Sequence, residues 1–222
     1  MPVSSIYSSL GALSQSTKRE LRDAQGHICG LFRDADEEFR TIIPFIKEGL
    51  DGGERAHHVV DPSRKEEHVH RMTAAGIDVD AVVRSGQLLL RDWSDVFVKG
   101  GIFERDRVFA AFADVHNESI RLGYPRTRFL SHMEWAVAGD RDELIEYEAS
   151  YEQSVRQSPA NGDAVICVYR VENWGGDLVM RTLRTHPLVI IGGVLHENPF
   201  YSRPEEVLAD LVLRRAARQE CC

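Results

Sequence analysis

The chain has 222 residues, 43% of them hydrophobic, which is enough for one sizeable core and too few for two full domains. Its formal net charge of -8 argues against a surface that neutralises phosphates, so direct nucleic-acid binding is not expected. No run reaches the roughly 18 apolar residues that a membrane-spanning helix needs, and Met1 to Leu13 lack the basic-then-apolar order of a secretory leader, so a soluble, cytoplasmic protein is expected.

Residues 1 to 25 are rich in Ser, Thr and charge and read as a lead-in, with a short helix expected around Thr17 to Ala24. A single domain is then expected over residues 26–212, with 213–222 as the end of the last helix and a tail. The sequence predicts a strand over His27 to Phe32, then a helix over Asp34 to Leu50 with Phe39, Ile42, Ile43, Ile46 and Leu50 on one face. Asp34 or Asp36 can cap that helix, and Gly52 and Gly53 stop it. His57 to Val60 predicts a second strand, Ser63 to Ala75 a helix, and Leu88 to Arg91 a third strand that ends at Asp92. Val108 to Leu122 reads as a long helix, Thr127 to Ser131 as a strand, Arg141 to Gln157 as an acidic helix, and Ala164 to Tyr169 as a buried strand. Leu178 to Arg184 is expected as a helix, Pro187 to Leu195 as a strand broken at Gly192 and Gly193, and Pro204 to Arg218 as the last helix. This alternation implies an α/β fold with a mainly parallel sheet between helical layers, whose ligands bind outside the carboxyl ends of the strands. Nothing local fixes the strand order.

Four cysteines, Cys29, Cys167, Cys221 and Cys222, have no CxxC spacing, and the first two read as reduced thiols in apolar strands. Phe45 to Glu54, F-I-K-E-G-L-D-G-G-E, resembles the helix, turn and strand that follow the phosphate-binding loop in RecA/KaiC-type ATPases. Where that loop would stand the chain reads G-L-F-R-D-A-D-E-E-F, with no Lys and no Gly-rich cradle. Asp34, Asp36, Glu37 and Glu38 there suit the helix dipole and repel a triphosphate. No standard ATP site is expected, and no cofactor is named by the sequence.

Several short motifs in order resemble the MEDS family, a sensory domain of methanogen and methylotroph proteins. They are G-H-I-C-G-L-F (Gly26 to Phe32), the F-I-K-E-G-L turn, L-L-L-R-D after Gly86, M-E-W-A (Met133 to Ala136), C-V-Y (Cys167 to Tyr169), H-P-L-V-I-I-G-G (His186 to Gly193) and E-N-P-F-Y (Glu197 to Tyr201). The resemblance implies a RecA/KaiC-like three-layer sandwich that senses small molecules, hydrocarbon derivatives among them, and signals to a fused or separate regulatory partner.

The candidate ligand-binding residues are His27, Cys29, Phe32, His58, Asp61, Asp92, Trp93, Glu134, Trp135 and His186. His27 and Cys29 alternate onto one strand face and read either as a metal or ligand pair or as a core histidine beside a structural thiol. His57, His58, His68 and His70 cannot all converge, and the helical pair reads as a solvated face with one strand histidine near the crevice. Asp61, Asp92 and Glu134 follow strands and read either as ligand groups or as caps and turn formers. Trp93 and Trp135 read as an aromatic wall or as core, and His186 with residues 197–201 as a lid or a rigid turn. No G-x-S-x-G, HExxH or Cys-His-Asn arrangement is present, so no enzyme is expected. A degenerate nucleotide-binding protein and a homo-oligomeric interaction module are the rival readings.

Overall fold

The computed structural model describes residues 21, 24–137, 139–157 and 162–220. Apart from Leu21 and Ala24, the helix expected around Thr17 to Ala24 lies outside them, as do Cys221 and Cys222. In chain order the elements are β1 (Gly26–Phe32), α1 (Ala35–Asp51), β2 (Arg55–Val60), α2 (Lys65–Ala74), α3 (Val79–Arg84), β3 (Leu88–Asp92), α4 (Trp93–Val96) and α5 (Arg105–Arg121). They continue as β4 (Thr127–His132), α6 (Arg141–Gln157), β5 (Ala164–Arg170), α7 (Gly176–Leu183), β6 (Leu188–Ile191), β7 (Val194–Glu197) and α8 (Pro204–Glu220).

The strands form one sheet in the order β3-β2-β4-β5-β1-β6-β7, parallel except for the β6–β7 pair. Strands β2, β4 and most of β5 are buried on both faces, which is why they read as unbroken rather than alternating strands. Phe39, Ile42, Ile46, Met72 and Val79 from α1, α2 and α3 pack on Ile28, Phe32, Leu130 and Ile166 on one face. Val108, Leu144, Leu178 and Leu211 from α5 to α8 pack on Cys29, Phe129, Cys167 and Val189 on the other. The chain is therefore the expected three-layer α/β sandwich around a mainly parallel sheet.

The F-I-K-E-G-L-D-G-G-E segment has a local cause. Arg128 of β4 lies over the Phe45 ring at 4.2 Å, donates to the Phe45 carbonyl, and pairs with the Glu54 carboxylate. A Cβ on Gly49 would come within 2.5 Å of Arg128 Nε, so glycine lets the guanidinium pass. Phe45, Gly49 and Glu54 together hold one buried arginine that ties α1 to the sheet.

Two segments differ from expectation. Val79–Arg84 is a short helix, capped by Asp78 accepting from the Ala81 amide at 2.9 Å. Residues 187–195 are not one strand: Gly192 and Gly193 both take positive φ, 60° and 75°, and fold β6 back against β7 as a two-residue hairpin.

Candidate functional site

Several of the residues expected at the strand ends are taken up by packing or by ion pairs within the protein. Phe32 is fully buried beneath α1. Trp135 turns under α6, stacked on Phe97 at 5.0 Å and on Phe103 at 4.7 Å, and Trp93 packs against the same cluster. The carboxylates are engaged by the protein itself: Asp92 pairs with Lys65 at 2.7 Å, Glu134 with Arg170 at 3.1 Å, and Asp61 accepts from the Ser63 amide at 2.9 Å. The start of α1 is likewise closed, because Asp34 accepts from the Glu37 amide and the Arg33 amide donates to the Glu37 carboxylate, both at 2.9 Å.

What does assemble near that edge is a buried ionic network. Glu38, in the first turn of α1, meets His132 Nε2 at 3.1 Å and Arg64 at 3.3 Å. Beside it His58 Nδ1 lies 3.2 Å from His68 Nε2. Burial holds His68 down to about 3 and His58 well below the usual histidine range, so this pair is neutral. Burial opposes charge on Glu38 and His132 as well, but each stabilises the other, lowering Glu38 to about 2 and raising His132. The expectation of a solvated histidine face is thus corrected for His68, which is buried, and kept for His70, which is exposed. Met72, four residues after His68 and also buried, is the sequence signal that places His68 inward.

A second polar cluster lies under α6 on the opposite face. His27 of β1, Glu148 of α6, Cys167 of β5 and His186 before β6 are all buried, with one potential donor atom from each within 4.8 Å of the others. Glu148 Oε2 is 3.0 Å from His27 Nε2 and 3.5 Å from His186 Nε2, and Cys167 Sγ is 3.4 Å from His27 Nε2. Tyr169 donates its hydroxyl to the other Glu148 oxygen. The two carboxylates of α6, Glu148 and Glu152, raise His27 to about 8 against the opposing effect of burial. Burial raises the Cys167 thiol well above its ordinary range. Cys29 shares the face of His27, as alternation requires, yet the thiol that reaches His27 belongs to Cys167, the register partner of Cys29 on β5. Glu148, Cys167 and Tyr169 were not among the expected site residues.

Next to this cluster, at the amino ends of the strands, a cleft of about 720 Å³ opens between α5 and α6. Phe109, Phe112, Phe129 and Tyr151 form its apolar wall. Its polar corner is His116, whose Nδ1 lies 2.7 Å from an Asp163 oxygen, while the other Asp163 oxygen accepts from the Thr127 amide at 2.6 Å. Tyr151 separates cleft from cluster, its ring edge-on to His27 at 5.1 Å. A cavity of this size with aromatic walls and a few fixed polar groups suits a small, largely apolar molecule.

Comparison with known proteins gives a family. The sequence profile of MEDS, described as the methanogen/methylotroph, DcmR sensory domain, matches residues 26–187. No curated protein sequence matches the chain. Among solved structures, the flagellar accessory protein FlaH of Methanocaldococcus jannaschii aligns with a TM-score of 0.45 and 11% identity, over 77% of this chain and 74% of that one.

Proposed function

The chain belongs to the MEDS family of sensory domains, and from that premise we propose that it senses a small molecule without transforming it, through the cleft between α5 and α6. The observation that carries this reading is the aromatic wall of Phe109, Phe112, Phe129 and Tyr151 in a cleft of about 720 Å³, which fits short hydrocarbon derivatives better than it fits a charged ligand. A ligand shifts an equilibrium only by binding one state better than the other. Helix α6 is the element placed to register that difference: it lines the cleft with Tyr151, Ser154 and Val155 and pairs with α8 through Glu146–Arg215 at 2.7 Å and Asp142–Arg218 at 2.9 Å. Helix α8 presents Val212 and Leu213 outward, and a regulatory protein partner reads its position there. Among the described residues no helix is long and apolar enough to cross a membrane.

The test is thermal unfolding of the full chain against a panel of short halogenated alkanes and alcohols. A compound at a hundredfold excess over its Kd stabilises the folded state by about 2.7 kcal/mol. We expect Ala113→Trp, which fills the cleft from the exposed rim of α5, to abolish the shift, and Asp92→Asn at the carboxyl edge to leave it intact. The reverse pattern would move the ligand site to the carboxyl edge and sink the cleft assignment.

A further inference from the structure

We propose that His27, Glu148, Cys167 and His186 bind one divalent transition-metal cation of the zinc class, held between the sheet and α6. The donors come from separate parts of the chain, β1, α6, β5 and the turn before β6, and the strand order makes them meet. Tetrahedral zinc bonds of about 2.0 Å to oxygen and nitrogen and about 2.3 Å to sulfur set neighbouring donors about 3.3–3.6 Å apart. The separations found are 3.0 and 3.5 Å from Glu148 Oε2 to the two histidine nitrogens, 3.4 Å from Cys167 Sγ to His27 Nε2, and 3.6 Å from Cys167 Sγ to Glu148 Oε2. The donor set also balances charge: one carboxylate and one thiolate neutralise a dication, and two neutral imidazoles complete the shell without adding charge to a buried site.

The orientation of His186 is the decisive observation. The Thr185 hydroxyl donates to the Thr182 carbonyl at 2.7 Å, so its oxygen accepts from His186 Nδ1 at 2.9 Å, and the Thr182 carbonyl also accepts from that nitrogen at 3.0 Å. Nδ1 therefore carries the hydrogen, and Nε2 presents a lone pair. That buried lone pair has no hydrogen-bond partner and faces a carboxylate oxygen 3.5 Å away, a repulsive contact that a shared cation turns into an attractive one. His27 is supported in the same way, its Nδ1 facing Glu152 Oε2 at 3.5 Å while Nε2 points into the cluster. Carboxylate or carbonyl partners behind metal-binding histidines are the usual outer support of such sites.

The experiment is a cobalt(II) titration of the chelator-treated full chain carrying Cys221→Ser and Cys222→Ser, so that the terminal thiols supply no signal. One cobalt per chain is expected, with intense tetrahedral visible bands and a thiolate-to-cobalt charge-transfer band that disappears in Cys167→Ser and survives in Cys29→Ser. No uptake, or a charge-transfer band that persists in Cys167→Ser, overturns the proposal in favour of a metal-free network built on protonated His27. Should Cys167→Ser fail to fold by circular dichroism, zinc K-edge absorption of the zinc-loaded parent decides: one sulfur with nitrogen and oxygen neighbours supports the site, and a shell without sulfur overturns it. Neither readout depends on whether the neighbouring cleft holds a ligand.

Discussion

Glu38 and His132 form a pair whose worth depends on pH in two opposite senses. The folded-state pKa of Glu38 falls from 4.5 to about 2, so its contribution is complete above pH 4.5 and is lost as pH falls through about 2. That of His132 rises above 6.5, so its contribution is complete below pH 6.5 and is lost as pH climbs through the raised value. The pair is strongest between pH 4.5 and 6.5, with Arg64, His68 and Glu134 as the other charged or titratable groups acting on it. We expect Glu38→Gln to flatten the urea midpoint plotted against pH on both flanks; a variant profile parallel to that of the parent would rule the pair out as the source. Glu38 itself was legible only as an acid at a helix start that disfavours phosphate. Its partner His132 carried no signal, because the last residue of a buried strand looks the same whether it faces a helix or a turn.

Helix α8 is anchored by apolar contact more than by charge. Leu211 and Val207 are buried against the α6 layer, whereas Arg218, which pairs with Asp142, is mostly exposed. We expect Leu211→Ala to cost about 2–5 kcal/mol, by transfer and cavity together, and Arg218→Ala to cost about 1 kcal/mol or less because solvent screens it. Chemical denaturation of the two variants checks the ranking, and equal losses would show that the ion pair is what seats the helix. The longer helices were readable from their apolar spacing, since α1, α5, α6 and α8 each span 17 residues. Helix α3 was not, because the valines in V-D-A-V-V-R argue for strand as much as helix and six residues give too few turns for a period to emerge. The hairpin at Gly192 and Gly193 was marked in the sequence, since two glycines between two apolar runs are the signature of a two-residue turn; the break was seen and the reversal was not.

At the scale of the molecule, stability should grade outward from β1 and β5, which share a seven-residue register at the middle of the sheet, to β7 at its edge. Hydrogen exchange read by mass spectrometry should find the amides of β1 and β5 among the slowest and those of β7 among the fastest. Exchange in β1 as fast as in β7 would contradict a single cooperative core. The three-layer architecture followed from the alternation of strand and helix, but the order of the strands did not. Strands such as H-H-V-V and A-V-I-C-V-Y are buried on both faces, so neither pattern names its neighbours. The cluster under α6 stayed hidden for that reason: His27, Cys167 and His186 become neighbours only because β5 and β6 flank β1, a pairing between segments more than a hundred residues apart.

Glu148 and Tyr151 stand one turn apart on α6, one facing the histidines and the other the aromatic cleft. Two events that move the same turn of helix share its free energy, and linkage makes that sharing symmetrical. Whatever factor a molecule in the cleft adds to or removes from the affinity for a cation, the cation returns to the molecule unchanged. With both proposed sites filled, neither the molecule nor the cation would rank as signal or as support.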